Sequence, residues 1–285
     1  MKLTNVSENE LMLIRTYLYE QTGLAFVGSQ WHFFKKRIIK RIEESKFSSI
    51  REYISFLKFD PRGKQELKDL YNLLTVNETY FFREKPQLEA LVNIVLPEMI
   101  ETKLSEKTNM KSIRIWSAAS SNGSEPYSIA ILLKEKGLLN KGVTFNIYGT
   151  DINTDVINSA RAGFFSEPDL RNTPPELKEK YFTKKGNFYE INEEIKKMVS
   201  FSIVNLFSKT QTATLKNMDI IFCRNVLIYF DIESKKIVAK NLYDNLVPNG
   251  YLFLGMSDTL FKVTNLFLLK PLKGVMVYRK PGGGK

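Results

Sequence analysis

Four short segments of this 285-residue chain combine residue types suited to holding a small polar ligand. In Leu74-Thr75-Val76-Asn77-Glu78-Thr79-Tyr80-Phe81-Phe82-Arg83-Glu84, the polar Asn77, Thr79 and Arg83 are interleaved with aromatics. The same pattern also suits a domain junction with a satisfied arginine. In Ala119-Ser120-Ser121-Asn122-Gly123-Ser124-Glu125-Pro126, small side chains after an apolar run let backbone approach a ligand, and Pro126 fits the first turn of a helix. The run is not G-x-G-x-x-G, which argues against a dinucleotide with its pyrophosphate on the helix N-terminus. Asp151 ends another apolar run, where a carboxylate either accepts hydrogen bonds from both hydroxyls of a ribose or caps the next helix. Finally, Arg224, Asn225 and Tyr229 follow the apolar 219–223, facing a ligand or else pairing and packing among neighbours.

Composition removes much of the usual catalytic repertoire. His32 is the only histidine and Cys223 the only cysteine, so no His-rich metal site, no intramolecular disulfide and no C-x-x-C motif is expected. His32, flanked by Trp31 and Phe33, reads as a surface or packing residue. Sparse cysteine fits a reducing, cytoplasmic setting. The N-terminus turns polar where a secretory signal needs an apolar run, and no stretch reaches the roughly 18 apolar residues of a membrane span. With 42 Lys+Arg against 31 Asp+Glu, the net charge of +11 favours acidic partners, whether nucleic acid, anionic lipid or a carboxylate-rich protein surface.

The elements that must position these residues follow from hydrophobic spacing. From Ser7 to about Leu74, apolar residues recur every three or four positions, predicting a bundle of about four helices with a capping box at Ser7 and Glu10. From Pro86 a long helix, broken or restarted around Pro97, leads into short apolar strands alternating with helices, the signature of a doubly wound, mainly parallel α/β sheet. Strands are expected at 113–118, 145–150, 199–203, 219–223, 251–254 and 275–278, with helices at 126–136, 154–162 and 232–245. The last two strands lack a crossover helix between them, which predicts an antiparallel pair at the sheet edge. Aromatic pairs on either side of Lys184-Lys185-Gly186-Asn187 read as a small β-hairpin insertion at about 165–198. The domains expected are thus 1–85, helical, and 86–281, α/β, with a Gly-rich tail at 282–285. In such a sheet, ligands bind beyond the carboxyl ends of the strands, where three of the four segments fall.

Six pieces in order, L-T-V-N-E-T-Y-F-F-R-E, I-W-S-A-A-S-S-N-G-S-E-P-Y-S-I-A, G-T-D-I-N, Asn205-Leu206, I-F-C-R-N-V-L-I-Y-F-D and L-V-P-N-G-Y-L-F-L-G-M-S-D, resemble the chemotaxis receptor glutamate methyltransferases of the CheR type. They span about residues 74–258. The resemblance implies a class I methyltransferase fold with a small helical N-terminal domain and a β-subdomain, and S-adenosylmethionine as cofactor, leaving S-adenosylhomocysteine. It implies that Asn77, Thr79 and Arg83 contact the methionine end and reaction centre, and Asp151 the ribose. Glu125, Asn205, Leu206, Arg224 and Asn225 complete the cofactor pocket. Arg83 and Tyr229 are implied nearest the accepting carboxylate. A basic helix is implied to face acidic receptor helices; Trp31 to Lys46 carries Lys35, Lys36, Arg37, Lys40, Arg41 and Lys46 against Glu43 and Glu44. A solvated helix face is the other reading of that segment. The chain departs from the family's usual pattern at Asn122, Ser124 and Asn249, which bears on how tightly cofactor binds.

The implied chemistry suits a chain so poor in histidine. A glutamate carboxylate, with an ordinary pKa of about 4.3, is ionised at neutral pH and displaces a sulfonium-bound methyl group without a general base. The implied partners are the cytoplasmic methylation helices of transmembrane chemoreceptors, with the enzyme a cytoplasmic monomer recruited to receptor arrays. Two other classes remain open: a non-catalytic module that senses S-adenosylmethionine, and a nucleic-acid methyltransferase. Against the second, the chain has no N-P-P-Y base-flipping motif and no cysteine placed to attack a pyrimidine.

Overall fold

A computed structural model describes residues 6–45, 47–106 and 111–282; Lys46 of the basic segment and residues 283–285 of the tail lie outside these. Four helices come first: α1 (Glu8–Thr22), α2 (Ser29–Glu44), α3 (Ile50–Phe59) and α4 (Gly63–Leu74). Ser7 and Glu10 form the expected capping box, and Gly23, in the left-handed region at φ 72°, ends α1. Leu11, Ile14, Leu18, Phe34, Ile38, Ile42, Tyr53, Leu57, Leu70 and Leu74 close one apolar core between the four helices.

The helix around Pro97 is neither continuous nor cleanly broken. α5 (Lys85–Ala90) passes through a π-helical turn, Leu91–Val95, into α6 (Leu96–Ser105). Pro97 has no N–H to donate back along the helix, so the ladder is interrupted just before it and the preceding turn widens.

The rest is a sheet with helices on both faces. Its strands are β1 (Ser112–Ala118), β2 (Thr144–Asp151), β6 (Val199–Ile203), β7 (Met218–Cys223), β8 (Leu246–Leu254), β9 (Leu268–Leu272) and β10 (Val275–Arg279), in the order β6-β2-β1-β7-β8-β10-β9. The first five are parallel; β10 runs antiparallel to both β8 and β9. The expected antiparallel pair exists, but β9, not β10, is the sheet edge. Strand β9 escapes sequence reading because Leu268-Leu269-Lys270-Pro271-Leu272 contains a proline, which an edge strand tolerates. Every residue of β7 is buried, as a central parallel strand covered on both faces requires.

Helices α7 (Ser124–Glu135), α8 (Thr154–Ala162) and α12 (Ile232–Asn245) follow β1, β2 and β7. Short α11 (Lys209–Thr212) precedes β7. The insertion holds β3 (Phe164–Phe165), α9 (Pro175–Tyr181), β4 (Phe182–Lys185), β5 (Phe188–Ile191) and α10 (Glu193–Lys196). It is more than a hairpin, because Phe164–Phe165 adds a third antiparallel strand to β5. Phe165, Phe182 and Phe81 meet edge-to-face beneath it.

Strand order reverses between β1 and β7: β2 and β6 lie to one side of β1, and β7, β8, β10 and β9 to the other. A crevice therefore opens past the carboxyl ends of β1, β2 and β7. Gly123, at the turn into α7, sits at φ 86° with Phe201 and Ala160 so close that an added Cβ would lie 2.8 and 3.0 Å from them. Gly123→Ala is therefore expected to cost about 1–3 kcal/mol in chemical denaturation, from positive φ and overpacking together.

Candidate active site

Residues from both parts of the chain line one cleft at that crevice, with an empty volume of about 1030 Å³ including solvent at its mouth. Asn77, Thr79, Arg83, Glu125, Asp151, Asn205, Leu206, Arg224, Asn225 and Tyr229 all line it. The geometry thus brings together the proposed cofactor contacts and the two residues expected near the accepting oxygen.

The wall after β1 is built from left-handed backbone. Ala119 at φ 59° and Ser121 at φ 50° hold this conformation without being glycine, a strain of order 1–3 kcal/mol each that surrounding bonds must hold. Ser121 N donates to Asp151 Oδ2 at 2.9 Å, Ser121 Oγ donates to the Asn77 carbonyl at 3.1 Å, and Ser120 N donates to the Thr150 carbonyl at 2.8 Å. Asn122 ties down its own loop. Its Oδ1 accepts from Ser124 N and Oγ, while its Nδ2 donates to Asp169 Oδ1 at 3.0 Å, tying the loop to the insertion.

Asp151 is buried at the end of β2, and it is not the cap of α8; Asn153 is, accepting from Asp155 N and Val156 N. The Asp151 carboxylate instead accepts from Ser121 N and Asn153 N. Burial pushes its pKa above the ordinary value, while backbone N–H groups of Asn153, Ser121 and Ile152 pull it back.

Under the cleft lies a buried ionic cluster. Arg224, with 3% of its side chain exposed, sits 3.1 Å from Glu125 Oε2 and 3.4 Å from Glu84 Oε2, and donates to the Arg83 carbonyl at 2.6 Å. Ser117 Oγ donates to Glu125 Oε1 at 2.6 Å. Burial raises the Glu125 pKa and Arg224 opposes the rise. Arg83 donates from Nη1 to the Glu78 carbonyl at 2.8 Å and lies 5.5 Å from the centre of the Tyr80 ring. Tyr229 is half-buried, and burial raises its pKa above 10.0, so it stays a hydroxyl donor at neutral pH.

Sequence reading did not find Thr22, the last residue of α1, or Leu24 and Phe26, which reach the cleft from the loop that follows it. That loop is stitched down by Ala25 N donating to the Tyr229 carbonyl at 3.1 Å and by an isolated bridge between Leu24 and Phe230. Asn205 completes the seam, donating from Nδ2 to the Gln21 carbonyl at 2.7 Å. Apolar residues in a Gly23-to-Gly28 turn were the available signal, since a plain connection has no use for them.

The basic residues of α2 lie away from this cleft. Lys36, Arg37, Lys40 and Arg41 line a second groove together with Asp69, Asn72 and Asp155. Arg41 pairs with Glu66 through two bonds, of 2.8 and 2.6 Å, within the bundle. Lys35 lies 3.6 Å from Glu8, Lys40 3.7 Å from Glu44, and Arg37 donates to the Leu73 carbonyl while covering Phe33.

Two family models match in succession: the CheR methyltransferase all-alpha domain over residues 9–75, and the CheR methyltransferase SAM binding domain over residues 77–274. Chemotaxis protein methyltransferase 2 of Vibrio cholerae serotype O1 is 37% identical over 281 residues, covering 98% of this chain and 96% of that protein. The chemotaxis protein methyltransferase of Borreliella burgdorferi is 34% identical over 270 residues, or 94% of each chain. With the seam between the models falling just before Asn77 and both halves contributing to one cleft, the chain belongs to the CheR family of S-adenosylmethionine-dependent methyltransferases.

Proposed function

We propose that this enzyme transfers methyl groups to glutamate carboxylates on the cytoplasmic methylation helices of chemoreceptors, forming methyl esters in chemotaxis adaptation. One observation carries the reading: cofactor-type residues at three strand ends share a cleft with Arg83 and Tyr229, a pair suited to grip a carboxylate. The chemotaxis names of the relatives point to the same class of acceptor.

The cleft fits S-adenosylmethionine on its own chemistry. Ser120 Oγ is buried without a partner in the cleft wall, the left-handed Ala119-to-Ser121 backbone presents little side chain, and Asp151 is an acceptor for ribose hydroxyls. Asn77, Thr79, Arg83, Glu125, Asn205, Leu206, Arg224 and Asn225 would surround the remainder. When bound, the cofactor supplies a methyl group already activated on a sulfonium sulfur.

What the protein adds is alignment and exclusion of water, worth up to roughly 7–11 kcal/mol for well-oriented reactants. One donor of Arg83 is committed to the Glu78 carbonyl, so its others serve the acceptor. A strong bond to the attacking oxygen would stabilise the ground state, so Arg83 holds the other oxygen, with Tyr229 donating its hydroxyl proton beside it. On this reading Lys35, Lys36, Arg37 and Lys40 turn α2 toward the acidic receptor, and Arg41 fixes α2 to α4 through Glu66. The helical domain occupies 1–85 and the catalytic domain 86–281, with its insertion at about 165–198. No helix among the described residues is long and apolar enough to cross a membrane. On the same reading the enzyme works in the cytoplasm as a monomer recruited to receptor arrays.

The direct test is incubation with methyl-labelled S-adenosylmethionine and receptor-bearing membranes. Label should enter the receptor and leave as methanol in mild base; label that is stable to base, or confined to nucleic acid, would refute the assignment. Arg83→Ala should lower kcat about 100-fold, with a smaller loss of S-adenosylhomocysteine affinity because Arg83 also borders the cofactor, as for a residue whose larger contribution is made in the transition state. Asp151→Ala should instead weaken S-adenosylhomocysteine binding at least about tenfold, the scale of a charge-assisted hydrogen bond. Because ionised Asp151 is the binding form and its pKa is raised, affinity should fall as pH drops through a value above 3.8, and calorimetry across pH reads that limb.

A further inference from the structure

Glu84 follows Arg83 yet does not line the cleft, and its surroundings do not suit a bystander. It adopts φ 54° and ψ 54°, and Phe82 sits at φ 58°, so Arg83 is bracketed by two non-glycine residues in the left-handed region. Such strain persists only where other contacts over-determine it. The Glu84 side chain supplies those contacts with 11% of its surface exposed. Oε1 accepts from Asn225 Nδ2 at 3.2 Å and from Met256 N at 3.4 Å, and Oε2 faces the Arg224 guanidinium at 3.4 Å. One carboxylate therefore binds the loops after β7 and β8 to a segment 141 and 172 residues earlier in the chain. Arg224 returns the connection by donating to the Arg83 carbonyl. Asn225, itself at φ 59°, is pressed against Gly255, where an added Cβ would come within 2.7 Å of Asn225 N.

Resting on the methyl-transfer reading above, we propose that Glu84 is a positioning residue: acting through Arg224 and Asn225, it clamps the Arg83 backbone to the strand-end loops and so fixes where the Arg83 guanidinium meets the acceptor. Its charge is the working feature. An amide at this position keeps the acceptor toward Asn225 but turns N–H groups toward a guanidinium that has only donors.

The test compares Glu84→Gln, Glu84→Asp and Arg224→Gln with the double variant Glu84→Gln/Arg224→Gln. For Glu84→Gln, kcat, read well below the thermal midpoint that loss of a buried charge partner lowers, should fall about 10- to 100-fold while the KM for S-adenosylmethionine stays close to the parent's. Glu84→Asp should recover most of the loss. If Glu84 acts through Arg224, the double variant should be no slower than Arg224→Gln alone; multiplicative losses would overturn the proposal. Hydrogen exchange supplies a readout independent of any acceptor: backbone amides of residues 80–90 should lose protection in Glu84→Gln, and unchanged protection would also overturn it. Should the parent enzyme fail to methylate receptor membranes, the acceptor assignment falls by itself, and the exchange result still decides whether Glu84 restrains the arm.

Discussion

The cleft rests on one guanidinium buried between two carboxylates. Arg224 meets Glu84 from the domain junction and Glu125 from the start of α7, and its own loop follows the central strand β7. Removing three charged groups from water costs several kcal/mol per ion, and only close, multiply bonded geometry offsets it. Two carboxylates against one cation leave an excess negative charge, which burial and the neighbouring Glu84 oppose at Glu125 and which Arg224 first and Arg83 more weakly favour. Glu84 and Arg83 enter this cluster together from the junction segment, one bringing a negative charge and the other a positive one. That links the charge of the cleft floor to the position of the residue proposed to grip the acceptor.

Strain is distributed in the same place. Of the nine non-glycine residues at positive φ among the described residues, Phe26, Phe82, Glu84, Ala119, Ser121 and Asn225 lie in the cleft wall or next to residues that do. A fold indifferent to this region would place glycine there or relax the backbone. Instead Asp151, Asn77 and Asp258 take up bonds from Ser121 and Asn225 and hold the backbone in place. Preorganisation of this kind is what an in-line displacement needs, since the protein contributes orientation and little else.

How much of this was legible in the residues depends on the range of the forces involved. Strand β7 announced itself because a strand buried on both faces is apolar throughout, whereas β1 and β2 are buried chiefly toward their carboxyl ends and the edge strand β6 alternates Val199, Phe201 and Ile203 with serines. Residues at strand ends were legible for the same reason: Asp151 and Arg224 are polar where an apolar run stops. Strand β9 was hidden by Pro271, and the third strand of the insertion by its length of two residues. The π-helical turn before Pro97 lies one register away from the break the proline announces. The basic character of α2 was legible, but not its division of labour, because Arg41 finds Glu66 across 25 residues.

Hardest to read was the roof. Thr22, Leu24 and Phe26 belong to the helical bundle by sequence, yet they close the cleft only because Asn205 reaches the Gln21 carbonyl across 184 residues and Gly23 leaves room for Phe207. No periodicity encodes such a contact. Across the cleft, Asn72 exchanges bonds with Thr154, and Asn153 donates to Thr75, so the bundle is fastened on two sides. A bundle held that firmly acts as part of the reaction chamber. It lines one side of the cleft with Thr22, Leu24 and Phe26, and on the proposed reading of the site these are the side chains that would keep water from the reacting atoms.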